Sequence, residues 1–141
     1  MGSMTRERRE AFLAEPRIAV LALNEPNSGP LAVPVWYWYE PGGDLWFETQ
    51  PESRKGRLLA VGTRVSLCVQ ETEAPLAYVS IEGPVIEIAE DDRELHEIPM
   101  AQRYLGEEEG LAYIEGLSTT QSDWKRYIVR PERWRTMDGV I

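Results

Sequence analysis

Residues 31–49 read LAVPVWYWYEPGGDLWFET, two β-prone runs on either side of a Pro-Gly-Gly-Asp turn. The first run, 31–39, is rich in β-branched and aromatic residues, and the second, 45–49, keeps that character over five positions. Gly42 and Gly43 supply the backbone freedom that a tight reversal needs, so the pattern predicts an antiparallel hairpin. Pro34 has no N–H to give to a ladder, which predicts an edge position or a bulge. Alternation along the run puts Trp36 and Trp38 on one face and Tyr37 and Tyr39 on the other. Both faces then need cover from the core, a second subunit or a planar ligand.

The flanking segments continue in the same style. Residues 18–23 (IAVLAL) form a short apolar run, read as a buried strand. Before them, residues 5–14 (TRERREAFLA) predict an amphipathic helix capped by Thr5, with Phe12 and Leu13 turned inward. Residues 24–30 (NEPNSGP) carry turn chemistry. Residues 50–61 switch to helical character, with Gly62 just past the helix end. Residues 64–70 alternate, with Val65, Leu67 and Val69 on one face; residues 78–88 do the same with Val79, Ile81 and Val85. Residues 90–116 are acidic and helical, broken near Gly106, and 118–122 form a polar loop. A last long strand covers 124–130, and 134–137 extend it past Pro131. Short strands divided by Gly and Pro, with a few helices beside them, predict a mainly β fold, a small antiparallel barrel with flanking helices.

Composition narrows the class. The chain has 141 residues, enough for one domain; residues 1–3 read as a cloning remnant, leaving 4–141 as that domain. With 24 acidic and 15 basic side chains the net charge is −9, which argues against nucleic acid as a partner. No apolar run is long enough for a bilayer, no signal peptide opens the chain, and the single cysteine, Cys68, excludes an internal disulfide. A cytoplasmic protein without a membrane partner is expected. His96 is the only histidine, and no metal site is expected.

Residues 49–59 (TQPESRKGRLL) carry the chemistry. Thr49 and Glu52 fit a T-x-x-E capping box with Pro51 in the first turn. Ser53, Arg54, Lys55 and Arg57 would then crowd a helix start, where the macrodipole disfavours each cation by about 0.3–1 kcal/mol. A bound anion would remove that conflict, and free N–H groups, a hydroxyl and cations suit a phosphate. The alternative is that these cations are solvated or paired with the many carboxylates. Tyr78, Ser80 and Glu82 share a strand face that meets either a ligand or water. His96 reads as a surface residue and Cys68 as a packed one, so no catalytic residue is assigned.

The order FLAEP (12–16), IAVLAL, VPVWYWY, GGDLWFET, SRKGRLL (53–59), RVSLCV (64–69), YVSIEGPV (78–85), RYLG (103–106) and PERW (131–134) resembles the pyridoxamine 5′-phosphate oxidase-like family of FMN-binding split barrels. The likeness is to its short actinobacterial-type members. The resemblance implies a homodimer with cofactor sites at the subunit interface. It implies that Val33, Pro34, Val35 and Trp36 lie beside the isoalloxazine-type ring, Glu48 and Thr49 at ring or ribityl groups, and Ser53, Arg54 and Lys55 on the phosphate. Trp124 and Lys125 would come from the partner subunit. The implied activity is that of a flavoprotein, an FMN-dependent oxidoreductase with a small-molecule substrate. The family also offers a deazaflavin (coenzyme F-420) reductase and a non-catalytic flavin- or heme-binding module. Gly56 departs from the Ala, Val or Thr that family members often carry, at a helix cost of about 1 kcal/mol. No pyridoxamine phosphate pocket can be placed residue by residue.

Overall fold

The Thr5 hydroxyl accepts the Arg8 N–H at 3.1 Å and starts α1 (Arg6–Ala14), whose inward face buries Phe12 and Leu13 completely. Removing two such side chains from water contributes about 2 kcal/mol each. The strands that follow are β1 (Ala19–Leu23), β2 (Leu31–Val35), β3 (Trp38–Tyr39), β4 (Leu45–Thr49), β5 (Arg64–Gln70), β6 (Leu76–Glu90), β7 (Lys125–Val129) and β8 (Arg133–Val140). This computed structural model describes residues 2–117 and 123–140, so the loop expected at 118–122 lies outside the described residues. Gly2, in the segment set apart as a remnant, pairs through its backbone with Asp138. No described helix is long and apolar enough to cross a membrane.

Every strand pair is antiparallel, in the order β2-β1-β5-β6-β7-β4-β3, with β8 on β6. The fold is the mainly β antiparallel barrel that the patterning predicts, in the split form that the family resemblance implies. The expected strand over 31–39 is nevertheless two strands. β2 sits at one end of the sheet path and β3 at the other, and only Trp36 and Tyr37 separate them in sequence. The chain itself therefore closes the curled sheet. Pro34 lies in β2, an edge strand of that path.

The break has a cause. Tyr37 takes its backbone partners from side chains of α3 (Ile98–Leu105) instead of a strand. Its N–H donates to the Tyr104 hydroxyl at 3.1 Å, and its carbonyl accepts from Arg103 Nε at 3.1 Å. The Tyr104 hydroxyl donates to the Arg17 carbonyl at 2.7 Å, and the buried Tyr37 hydroxyl donates to the Leu13 carbonyl at 2.9 Å. Arg103 also donates to the carbonyls of Leu13, Ala14 and Glu15, at 3.2, 2.7 and 3.2 Å. A guanidinium so placed satisfies the orphan acceptors at the end of α1 and sits at the favourable pole of that helix.

β6 is the long member of the sheet. Residues 78–84 pair with β5, 76–82 with β8 on the other edge, and 85–90 with β7. β8 thus continues past Pro131 along the edge of β6 that β7 occupies, as the sequence suggests for 134–137. Where the two meet, the chain runs so close to Gly83 that a Cβ there would lie 1.8 Å from the Arg130 carbonyl oxygen. The apolar faces of β1, β5, β6, β4 and β7 fill the barrel with Leu21, Leu67, Val69, Val79, Ile81, Phe47 and Tyr127.

The helix expected over 50–61 shrinks to one turn, α2 (Arg54–Arg57). Its cap is Ser53, not Thr49: Ser53 Oγ accepts the Gly56 N–H at 3.1 Å and donates to the Gln50 carbonyl at 2.7 Å. Thr49 stays in β4, paired with Lys125. Gly62 (φ 96°) serves the turn into β5 instead of a helix end. Gly56 is not a weak helix choice either. A Cβ there would meet the Gln50 carbonyl oxygen at 2.2 Å, so Ala does not fit this turn.

Two stability changes follow, both read by urea unfolding. Gly83→Ala must displace the Arg130 carbonyl and is expected to destabilise the fold by about 3 kcal/mol. Arg103→Lys keeps the charge but loses the planar fork that spans four carbonyls, and is expected to cost about 2 kcal/mol.

Candidate functional site

The ends of β2 and β4 and the α2 turn meet under a helical cover. A π-helical turn (Arg93–Glu97) runs into α3, and α4 (Glu107–Glu115) folds back on it after Gly106, the break expected from the sequence. Between cover and barrel lies a cleft of about 540 Å³. Its barrel wall carries Ile18, Pro34, Val35, Trp36, Glu48, Thr49 and Lys55, and its helical wall Glu97, Met100, Tyr113, Ile114 and Leu117; Trp124 completes it. Trp36 stacks flat on Tyr104, with ring centroids 4.9 Å apart and planes 5° apart.

Six of the nine residues that the family resemblance assigns to a cofactor thus line one cleft. Val33 instead packs against the barrel core. Ser53 is engaged as the cap of α2, 3.1 Å from the Thr49 hydroxyl. Arg54 is turned away, with a two-point hydrogen bond to Glu25 at 2.9 and 2.5 Å. One turn of helix has no separate positive and negative ends, so the dipole argument for an anion there loses its force. What remains is the position of Lys55 in the cleft wall.

Trp124, expected from a partner subunit, lines the cleft of its own chain, and its buried indole N–H has no partner among the described residues. Lys125 bonds Glu90 at 2.6 Å. Glu82 faces away from the cleft and pairs with Arg64 at 3.1 Å and Arg133 at 3.4 Å. Cys68 lies on the outer face of β5, and burial pushes its thiol up. His96 is half-buried, edge-on to Trp46 with centroids 5.7 Å apart, so it is not the free surface residue expected.

The helical wall is the part the sequence reading missed. Ile114 and Leu117 are three residues apart, a helical spacing, but the glutamates around them dominate that segment. Asp91 was missed too. Its carboxyl is fully buried, and both its oxygens, like Oε2 of Glu48, lack a partner in the hydrogen-bond network. Burial, then the adjoining Asp91 carboxyl and the negative charge of Glu97, push the Glu48 carboxyl far above the usual carboxylate range.

The sequence profile of the pyridoxamine 5′-phosphate oxidase family matches residues 5–138. Among solved structures, an F-420 reductase is 21% identical with a TM-score of 0.71, over 89% of this chain and 94% of that one. A conserved hypothetical protein from Mycobacterium tuberculosis is 25% identical with a TM-score of 0.74, over 96% of this chain and 86% of its own. A heme storage protein from Vibrio cholerae is 21% identical with a TM-score of 0.66, over 95% and 94%. No curated protein matches the chain. The structural likenesses show a common fold, and the profile, spanning nearly the whole chain, shows the family: this protein belongs to the pyridoxamine 5′-phosphate oxidase family.

Proposed function

We propose that the cleft holds FMN and that the protein is a flavin-dependent oxidoreductase, working as a cytoplasmic homodimer on a small-molecule substrate. The observation that carries this reading is the convergence of Pro34, Val35, Trp36, Glu48, Thr49 and Lys55 on one cleft, in a chain of this family. A volume of about 540 Å³ falls in the range of cofactor sites. The unpartnered Trp124 indole N–H offers a donor to a ligand. As an edge strand, β2 leaves one side of its backbone without a strand partner among the described residues, available to a ring edge.

Lys55 would hold the phosphate. Arg54 joins it only by leaving Glu25, and that cost is small. Arg54 is 68% exposed, and water screens exposed pairs of this kind. A bound flavin supplies hydride or electron transfer, and the chain's share is to bind it, orient it and exclude water. The deazaflavin F-420 is the second reading. Arg57, 71% exposed and only 3.9 Å-paired with Glu52, stands ready beside Arg54 and Lys55 for a longer anionic tail. The fold shared with an F-420 reductase supports it.

The dimer reading rests on the outer face of the barrel. Pro34, Val20 and Cys68 lie in cross-strand register over β2, β1 and β5, and Val20 and Ile18 are exposed. A row of small apolar side chains on an open sheet face suits a second copy of the sheet.

Titration with FMN, followed by flavin fluorescence, tests the cofactor. Lys55→Ala is expected to weaken binding tenfold or more, the effect of one charge-assisted hydrogen bond of about 1.5–3 kcal/mol. Glu25→Gln, which releases Arg54, is expected to tighten it. Unchanged affinity in Lys55→Ala would reject the phosphate site, and a Soret band in the purified protein would replace flavin with a tetrapyrrole. Light scattering is expected to give twice 16.1 kDa for the native protein and a single-chain mass for Val20→Arg. A native mass of one chain rejects the dimer.

A further inference from the structure

We propose that Glu48 and Asp91 share one proton, and that Glu48 is the proton-carrying side chain of the cleft. The two carboxyls are neighbours, and among the described residues no N–H or O–H donates to Asp91 or to Oε2 of Glu48. Asp91 has no side-chain exposure, and its two oxygens and Oε2 of Glu48 are without partners. Ionised carboxylates only accept, so two side by side would leave two buried charges and no hydrogen bond between them. One proton on the pair supplies the missing donor and removes one charge.

The neighbours do not offer another solution. Arg126 lies opposite Glu48 in the β4–β7 register, but its Nε donates to the Glu90 carbonyl at 3.1 Å and its guanidinium sits 5.2 Å over the Trp46 ring. It lowers the pair's proton affinity from a distance without hydrogen-bonding either carboxyl. His96 Nδ1 is 3.8 Å from Asp91, but it accepts the Asp92 N–H at 3.0 Å and so carries no proton to donate. Burial and Arg126 favour its neutral form, against the pull of Asp91 and Asp92. Glu97, on the opposite cleft wall, adds negative charge and is itself pushed up by burial. Among the described residues no three His, Cys, Asp or Glu side chains are arranged to hold a metal ion.

Glu48 lines the cleft and Asp91 does not, so Glu48 is the member that a bound ligand meets. Transfer moves the proton from a Glu48 oxygen to a ligand atom and leaves both carboxylates charged. Water then returns a proton to the pair. The partner in the cleft is therefore a ligand whose ring edge gains or loses a proton. This last step rests on the cleft being the cofactor site; the shared proton does not.

The experiment has a ligand-free arm and a ligand arm. Infrared difference spectra of ligand-free protein at pH 7, wild type minus Glu48→Gln, are expected to show one protonated carboxyl band, which Asp91→Asn shifts or abolishes. Unfolding between pH 5 and pH 9 gives the linkage. The folded pair keeps a proton that the unfolded chain has lost, so stability falls as pH rises. The folding constant of wild type should fall by up to tenfold per pH unit relative to Glu48→Gln. If Glu48→Gln does not fold, Asp91→Asn gives the same comparison. Absence of the band together with parallel pH profiles overturns the shared proton. Adding FMN is expected to move the band. If FMN binds and the band stays in place, Glu48 does not serve the ligand. If FMN does not bind at all, the cofactor reading fails while the band remains.

Discussion

Tyr37 is the hinge of the architecture because its backbone is bonded by side chains. A residue between two strands normally gives its N–H and C=O to a ladder. Here Tyr104 takes the N–H and Arg103 the carbonyl, both from α3. Two consequences come from that exchange. The ladder stops, so β2 and β3 go to opposite ends of the sheet path and the barrel is split between them. The same bonds fix α3 across the split, and α3 and α4 then form the second wall of the cleft. Because Arg103 also binds the last carbonyls of α1, the helix before the barrel and the helix over it are held by one guanidinium.

This explains which parts of the fold can be read from sequence. Local chemistry decides the Thr5 cap, the inward Phe12 and Leu13, the Gly-Gly turn and the alternation of β5 and β6, and each is visible in a window of a few residues. The break at Trp36 and Tyr37 is not, because alternation continues through it. Tyr37 and Tyr39 are buried and Trp36 and Trp38 half-buried, as one unbroken strand would have them. Only α3, more than sixty residues away, distinguishes one strand from two. The α2 turn fails for a related reason. T-x-x-E is a fair capping pattern, but Thr49 is already committed to the β4–β7 ladder, and Ser53 caps four residues later.

The cations of residues 54–57 show how far charge patterns go. Side by side in sequence, Arg54, Lys55 and Arg57 look like one basic cluster. In a single turn they diverge: Arg54 to Glu25, Arg57 toward Glu52 and Lys55 into the cleft. A net charge of −9 does not prevent an anion from binding there, since local geometry decides the potential inside a cleft. It does supply competitors, and Glu25 is one of them.

Those acids also bear on the cleft itself. In β4, Leu45, Phe47 and Thr49 are buried and Trp46 and Glu48 lie on the other face, which water would reach were the helices absent. The π-helical turn and the residues just before it bring His96 and Asp91 over that face, which converts an ordinary wet position into a half-buried one. Two buried carboxylates left ionised would be costlier than a single shared charge. The covering helices thus do more than shape the cleft: by drying the outer face of β4 they turn Glu48 from a solvated anion into an acid, and no reading of β4 alone contains that change.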